Sequence, residues 1–310
     1  MRKIVVGSRN SKLALTQTNL MIKDLKEAGV ENPFEVKEIV TKGDRVLDVA
    51  LSQVGGSDIF TKEIEQAMYD KEIDFAVHSM KDLSATEPEG LTIAAIPERE
   101  DPRDAYIAKN DIAFKDLPTG AIVGTSSLRR EAQMLAVRPD LQTKWIRGAI
   151  DARIEKLHTE DYDAIILAVA GLNRLGLSEA NITEYLPVDT FIPSVGQGAL
   201  AIECRTDDVE IRDILAKIND QVAVKTVEAE RIFLEILQGS DQFPIGAYAQ
   251  LDNKELVLQA TVISTDGKTI LKELVRGTDP ATVAKEAADK LIKQGALDII
   301  NEVKEALNQK

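Results

Sequence analysis

The sequence predicts an α/β protein with two similar halves and a small α+β domain at its C-terminal end. Short apolar segments alternate with amphipathic helical segments, first from Lys3 and again after Asp101-Pro102-Arg103. Such alternation is typical of mostly parallel sheets with helices on both faces. From about Gln221 the order changes to a helix, three strand candidates and a long helix, which is typical of an α+β unit.

In the first half, the predicted strands are short apolar runs bounded by turn residues, at 3–8, 34–40, 75–78 and 91–96. The predicted helices have apolar residues at every third or fourth position, and they cover 10–28, where Gly29 ends the helix, and 59–69. Because the two element types alternate, we expect helices on both faces of one sheet.

The second half repeats this pattern, with strands at 122–124, 144–146 and 164–168 and helices at 127–137 and 150–157. Residues 193–204 contain a Gly-Gln-Gly turn and a strand that could return to the first half. Two similar α/β halves imply a cleft between them, which is the usual place for a ligand. The third part has helices at 225–237 and 282–293 and strand candidates at 248–251, 256–263 and 269–274.

Charge and the scarcity of metal-binding side chains argue against several classes of function. The formal net charge is -14, and binding to a nucleic-acid backbone needs a basic face, so no nucleic-acid partner is expected. Cys204 is the single cysteine, which excludes an intramolecular disulfide, and neither His78 nor His158 lies at zinc-ligand spacing from it. No apolar run suits a membrane span or a signal peptide, so we expect a cytoplasmic protein without a membrane partner. Cys204, Trp145 and Phe60 are expected in the core.

Arginines cluster locally in this acidic chain, which suggests a small anionic ligand held in a cleft. Residues 124–130 follow a strand and open a helix, and they supply Thr125, Ser126, Ser127, Arg129 and Arg130. Backbone N–H groups at a helix start, hydroxyls and guanidiniums together form an anion cradle. In the alternative, a serine only caps the helix and the arginines are solvated. Arg147, Gly148 and Arg153 follow the next strand and favour the cradle.

A lysine and an aspartate stand together where a strand of the first half ends. Taken alone, Lys81 and Asp82 are more typical of a surface salt bridge. In the functional alternative, Lys81 binds a carboxylate and Asp82 handles protons and positive charge. Arg9 and Ser11 lie at the first strand-to-helix turn and form another potential anion site.

Seven motifs follow one another along the chain. They are Gly7-Ser8-Arg9-x-Ser11-x-Leu13-Ala14-Leu15, Thr41-Lys42-Gly43-Asp44, His78-Ser79-Met80-Lys81-Asp82, Arg99-Glu100-Asp101-Pro102-Arg103-Asp104-Ala105, Gly124-Thr125-Ser126-Ser127-Leu128-Arg129-Arg130, Ala170-Gly171-Leu172-x-Arg174 and Gly196-Gln197-Gly198-Ala199. In this order, and without large gaps, they resemble the hydroxymethylbilane synthase (porphobilinogen deaminase) family over essentially the whole chain.

The resemblance implies three domains. Two of them, residues 1–98 plus 194–218 and residues 99–193, are similar to the halves of type II periplasmic binding proteins with a cleft between them. The third, residues 219–310, is a small α+β domain that in the family holds a dipyrromethane cofactor on a loop cysteine. The resemblance also implies a monomer, with porphobilinogen and linear pyrrole chains as its partners.

The family joins four porphobilinogen molecules head to tail, releases ammonia at each step, and supplies hydroxymethylbilane for haem and other tetrapyrroles. Asp82 matches the family's catalytic aspartate, which stabilises pyrrole N–H groups and cationic intermediates. This context reverses the salt-bridge interpretation of Lys81 and Asp82. Other positions match groups that bind substrate or cofactor carboxylates or support them: Arg9, Ser11, Lys81, Thr125, Ser126, Ser127, Arg129, Arg130, Arg147, Gly148, Arg153, Arg174 and Gln197.

The sequence departs from the family where the cofactor is attached. The family's loop has a cysteine where this chain has Asp241, although Gln242, Pro244, Ile245 and Gly246 fit the loop motif. A carboxylate is a weaker nucleophile than a thiolate, and an ester there would be labile. Further departures replace polar or cationic groups of the family, at Gln53, Ser57, Ala149 and Ala152, and Asp58 adds an anion where the family has glycine. The alanines are interpreted as better helix formers than the residues they replace.

Three readings therefore remain open from the sequence. The first is a working synthase, and the second is an engineered or divergent member whose attachment of dipyrromethane is absent or impaired. The third is a small-anion binding protein of the type II fold, against which the retained Asp82 and the arginine set argue. No metal is expected in any of the three.

Overall fold

Three sheets organise the chain in the computed structural model, which describes residues 1–45, 57–240 and 242–308. The strands are β1 (Ile4–Arg9), β2 (Phe34–Ile39), β3 (Phe75–Ser79), β4 (Leu91–Ala95), β5 (Asp104–Ala108), β6 (Ile122–Gly124), β7 (Gln142–Lys144), β8 (Ala164–Ala168), β9 (Glu184–Leu186), β10 (Leu200–Arg205), β11 (Ile245–Asp252), β12 (Glu255–Ile263) and β13 (Ile270–Gly277). Asp241 and Gln53 lie outside the described residues, and the side chains of Ser57 and Asp58 are not described either.

The first two sheets share one topology. Their strand orders are β2-β1-β3-β10-β4 and β7-β6-β8-β5-β9. In the first, β1 runs parallel to β2 and β3, whereas β10 is antiparallel to β3 and β4. In the second, β6 runs parallel to β7 and β8, whereas β5 is antiparallel to β8 and β9. Each sheet is thus mostly parallel with one reversed strand, which confirms the predicted α/β class.

In each sheet, the reversed strand is the one that the chain reaches directly after leaving the other sheet. Strand β10 follows β9 of the second sheet in sequence, and β5 follows β4 of the first sheet. The chain therefore passes twice between the sheets, at residues 96–103 and 187–199. The predicted return of a strand to the first half is confirmed by the pairing of β10, whereas the residue boundaries of the three domains stay a prediction.

Helices cover the sheets and form a third, smaller unit with the last one. The longer helices are α1 (Lys12–Glu27), α2 (Lys62–Tyr69), α3 (Leu128–Val137), α4 (Ile150–Thr159), α5 (Val169–Leu175), α6 (Val209–Leu215), α7 (Gln221–Ile236), α8 (Pro280–Lys293) and α9 (Ala296–Asn308). The antiparallel sheet β11-β12-β13 packs one face on α7, α8 and α9, around apolar residues such as Phe233, Leu258 and Leu291. This is the predicted α+β unit. Within the described ranges, no helix is long and apolar enough to cross a membrane.

Some elements differ from their prediction for identifiable reasons. Strand β7 ends at Lys144, two residues before the predicted end, and the next residue, Trp145, is 43% exposed instead of lying in the core. Strand β5 was not predicted, because all five of its residues are buried and the segment shows no alternation. Helices α5 and α6 span seven residues each, which is too short for a clear helical period.

Glu230 on α7 joins both crossings to the third unit. Its fully buried carboxylate accepts hydrogen bonds from both terminal nitrogens of Arg99 in the first crossing, at 2.6 and 3.1 Å. It also accepts from the backbone N–H of Gly196 in the second crossing, at 2.7 Å, and of Ala249 in β11, at 2.8 Å. One side chain thus fixes three separate segments.

Glu230→Gln should destabilise the protein strongly, because the Arg99 guanidinium would remain buried without its counter-ion. Removing one member of a buried ion pair costs about 3–5 kcal/mol. Glu255→Gln is the matched control, since Glu255 pairs with Arg276 in a half-exposed ion pair and its loss should cost less than about 1 kcal/mol. Urea unfolding of both variants measures the difference, and equal costs would contradict the assigned role of Glu230.

Candidate functional site

Lys81 and Asp82 lie in a short 3-10 turn, Met80–Asp82, directly after β3. The Met80 side chain is buried beneath them, next to Ala199 and Ala201, and anchors the turn on the first sheet. Lys81 is partly buried, and its Nζ lies 3.5 Å from Oε1 of Gln197. Burial, followed by repulsion from Arg130, lowers the pKa of Lys81 to about 8, against the attraction of Asp82 and Asp104.

Arg129 and Arg130 start helix α3 and converge on one carboxylate. Asp104 of β5 is fully buried and accepts from Nη1 of Arg129 at 2.8 Å and from Nε and Nη2 of Arg130 at 3.0 and 2.8 Å. Burial alone would raise the pKa of Asp104, but the two guanidiniums hold it well below its usual range. The arginines also donate to the carbonyls of Ile192 and Ile166, so they are not solvated.

Gln197, in the second crossing, bridges the two halves. Its Nε2 donates to Oδ1 of Asp104 at 2.9 Å and to the carbonyl of Pro102 at 2.8 Å. Its Oε1 faces Nζ of Lys81 and lies 3.4 Å from Nη2 of Arg130. The amide therefore has a fixed orientation between the first sheet and the second.

Arg153 and Arg147 add two more cations to this region. Arg153 lies on α4 and its Nε donates to the carbonyl of Gly148 at 2.8 Å. Burial, together with the charges of Arg130 and Arg147, lowers the pKa of Arg153 to about 10. Burial and the charge of Arg9 also lower the pKa of Arg147.

The residue before α4 does not have the role inferred from the sequence. Ala149 occupies the N-cap position, with extended backbone angles and no side-chain hydrogen bond. Helix propensity does not act at a cap, where asparagine is strongly preferred over alanine. The interpretation of Ala149 as a better helix former is therefore wrong, because Ala149 precedes the first helical residue. Ala152 does lie inside the helix.

Arg9 is held by the turn that follows β2. Its Nη2 lies 2.5 Å from Oδ1 of Asp44, and its guanidinium stacks 4.3 Å from the ring centre of Phe60. Burial would raise the pKa of Asp44, but the hydrogen bond and the charge of Arg9 lower it. Phe60, expected as a core residue, is only partly buried, and its ring contacts a cation instead.

The remaining predicted residues act mainly in local structure. Ser11 caps α1 and Ser127 caps α3, each by accepting a backbone N–H three residues later. Ser126 donates to the carbonyl of Ile146, and the buried Thr125 accepts from the backbone N–H of Ser127 at 3.2 Å. Arg174 on α5 donates to the carbonyl of Gly198 at 2.8 Å. Their contacts to a ligand stay a prediction.

The cations outnumber the carboxylates where the two halves meet. Mutual electrostatic effects connect five cations, Lys81, Arg129, Arg130, Arg147 and Arg153. The carboxylates that act on them are those of Asp82 and Asp104, among the residues that the structure describes. Like charges held together in a poorly hydrated region lower each other's pKa unless an anion binds. This arrangement fits a ligand with several carboxylates, such as an acetate- and propionate-bearing pyrrole chain.

Two residues of this site were not assigned a role from the sequence. Asp104 and Asp44 both stand in quoted motifs, but an isolated aspartate gives no sign of which cation it holds. The structure supplies the missing information for Asp104, which lies in a five-residue strand with no exposed position. A buried carboxylate needs a buried cation, and the strongest candidates were the adjacent arginines of the next helix.

Cys204 does not offer an alternative attachment point. It lies on β10 in the first sheet, fully buried, as predicted for a small core residue. Burial and the nearby Asp208 raise the pKa of its thiol to about 11. The cations therefore fit the carboxylates of dipyrromethane, whereas the described residues contain no reactive thiol to hold it covalently.

Family models match two regions that together cover most of the chain. Residues 4–213 match the porphobilinogen deaminase dipyrromethane cofactor-binding domain, and residues 224–293 match the porphobilinogen deaminase C-terminal domain. The porphobilinogen deaminase of Oceanobacillus iheyensis is 64% identical over 100% of both chains. Those of Bacillus mycoides and Lysinibacillus sphaericus are 62% and 58% identical, over 97% and 98% of both chains.

The solved structures to which this chain is similar have much lower sequence identity. The methionine-binding protein MetQ is 10% identical, with a TM-score of 0.46, over 72% of this chain and 92% of its own. A YaeC-family lipoprotein from Enterococcus faecalis is 14% identical, with a TM-score of 0.43, over 72% of this chain and 93% of its own. The fold assignment rests on the sheet topology described above.

The Cys204 thiol should resist alkylation in the folded protein, because it is buried and protonated at neutral pH. We expect iodoacetamide at pH 8 to leave the native chain unlabelled, and to add one carbamidomethyl group in denaturant. Intact mass measures both results. Rapid labelling of the native chain would show an accessible thiolate and would reopen Cys204 as an attachment point.

Proposed function

The chain belongs to the porphobilinogen deaminase family, and from this premise we propose that it joins porphobilinogen molecules head to tail with release of ammonia. The observation that supports this most is the excess of cations around Asp82 where the two halves meet. A growing pyrrole chain gains an acetate and a propionate with each unit, so its binding needs many cations. We further propose that the protein acts as a monomer in the cytoplasm, without nucleic-acid or membrane partners.

In the proposed reaction, the cationic side chains hold the substrate and Asp82 acts on the reacting pyrrole. Lys81 and the arginines bind acetate and propionate groups and fix the ring. Loss of ammonia from porphobilinogen leaves a cationic azafulvene, and the adjacent carboxylate of Asp82 stabilises that charge and the pyrrole N–H. When bound, dipyrromethane supplies the pyrrole carbon at which chain growth starts.

Covalent attachment of that cofactor is proposed to be absent or impaired, because Asp241 stands where the family has cysteine. The carboxylate would form at best a labile ester. The cations remain suited to noncovalent binding of a short pyrrole chain. The sequence therefore keeps the side chains proposed to bind and condense pyrroles. It lacks the cysteine that holds dipyrromethane, the pyrrole pair on which the chain grows.

Intact mass and turnover test both parts of this proposal. We expect the purified chain to have its bare mass and to consume porphobilinogen. Asp241→Cys should in addition gain the mass of dipyrromethane and raise both porphobilinogen consumption and ammonia release. In that background, Asp82→Asn should lower kcat by roughly 100- to 1,000-fold and leave substrate affinity nearly unchanged. Asp207→Asn, at an exposed carboxylate, is the matched control. If Asp241→Cys neither gains mass nor consumes porphobilinogen, the synthase proposal is contradicted for this chain.

Substrate affinity should fall as the pH rises through about 8, where Lys81 loses its proton and its charge. Below that pH the ammonium is present and binds a carboxylate. Lys81→Arg should remove this fall, because a guanidinium stays charged throughout the range. Porphobilinogen dissociation constants between about pH 6.5 and 9.5, a range below the ordinary lysine pKa of about 10.4, measure both effects. A fall that persists unchanged in Lys81→Arg would exclude Lys81 as its cause.

A further inference from the structure

Asp104 carries one negative charge, and two positively charged guanidiniums share it. Four donor nitrogens reach its two oxygens, three from Arg129 and Arg130 and one from the Gln197 amide. The carboxylate is fully buried, so water does not compete for these bonds. Because two guanidiniums share one carboxylate, a net positive charge remains beside the cleft.

Gln197 transmits this arrangement to Lys81. Its Nε2 is fixed by Asp104 and by the carbonyl of Pro102, which sets its Oε1 towards Nζ of Lys81 at 3.5 Å. The charged groups that act on Lys81 are Asp82 in its own turn, Asp104 on β5, and Arg129 and Arg130 on α3. Arg153 on α4 belongs to the same region, because the charges of Arg130 and Asp82 both act on its pKa.

We propose that Asp104 is a positioning residue for the proposed condensation: it holds the two arginines of α3 and, through Gln197, directs the Lys81 ammonium to its place beside Asp82. This inference rests on the proposed function for its role in turnover. It goes beyond that function because it assigns a part to a carboxylate that does not itself touch the substrate. The arginines keep further N–H groups for a ligand, and Nε of Arg129 is buried without a hydrogen-bond partner.

After the larger effects of burial, Arg130 and Asp82, the charge of Asp104 raises the pKa of Lys81. The proposal therefore predicts the direction in which that pKa moves when Asp104 is replaced. Asp104→Asn removes the anion and leaves two repelling guanidiniums, so the pKa of Lys81 should fall by about one unit below its value of about 8. Arg130→Gln removes the strongest repulsion and should raise that pKa. The double variant removes both charges and should return the pKa close to the wild-type value.

Lysine-selective ¹⁵N labelling of the full-length chain allows the side-chain Nζ of Lys81 to be titrated by NMR, with Lys81→Arg to assign its signal. The alkaline limb of kcat/KM for porphobilinogen, measured in the Asp241→Cys background, should move in the same order. Asp140→Asn is the control, because Asp140 also binds an arginine, Arg138 at 2.6 Å, but on the surface of the second half. It should leave the titration of Lys81 unchanged.

A folded Asp104→Asn variant in which Lys81 titrates as in the wild type would overturn the proposal. Should Asp104→Asn fail to fold, Arg130→Gln and the double variant test the proposal. Each of them leaves only one guanidinium at this position, instead of two guanidiniums without a carboxylate. No rise in the pKa of Lys81 in Arg130→Gln would then overturn it. If no variant consumes porphobilinogen, the proposed function fails while the titration still decides the role of Asp104.

Discussion

The arrangement of the whole chain depends on one buried carboxylate, Glu230. A carboxylate with no exposure to water is stable only when every oxygen is paired, and here the partners come from three segments that are far apart in sequence. Arg99 and Gly196 belong to the two crossings between the sheets, and Ala249 belongs to the third unit. The relative placement of all three units is thus tied to a single charge balance rather than to apolar contact alone.

A second buried carboxylate, Asp104, pairs with two guanidiniums, whereas Glu230 pairs with one. Asp104 is outnumbered by the guanidiniums around it, so the region keeps an excess of positive charge inside a chain whose net charge is -14. Burial first, and then this excess of positive charge, lowers the pKa of Lys81 and of Arg153. Electrostatic strain of this kind favours ligands with several carboxylates over singly charged ones, because each added carboxylate relieves part of the repulsion.

Much of the fold could be predicted from the sequence, and rather less of the site. The alternation of short apolar runs and amphipathic helices identified both α/β halves and the α+β unit, because periodicity reports burial directly. It could not reveal β5, which is buried on both faces, or the cap position of Ala149, which depends on backbone angles. The motifs contain the cations that the structure brings together, but they did not identify the carboxylates that hold them. An ion pair such as Arg9–Asp44 forms only when the chain folds 35 residues back on itself.

The strand β10 has a consequence for synthesis of the protein on the ribosome. It lies between β3 and β4 in the first sheet, yet it follows β4 by more than a hundred residues. Until that strand has emerged, one edge of β3 has no neighbour and β4 has no place in the sheet. Unpaired strand edges are prone to association with other chains. The first sheet therefore cannot be completed until almost the whole second half has been translated, and β3 keeps an unpaired edge until then.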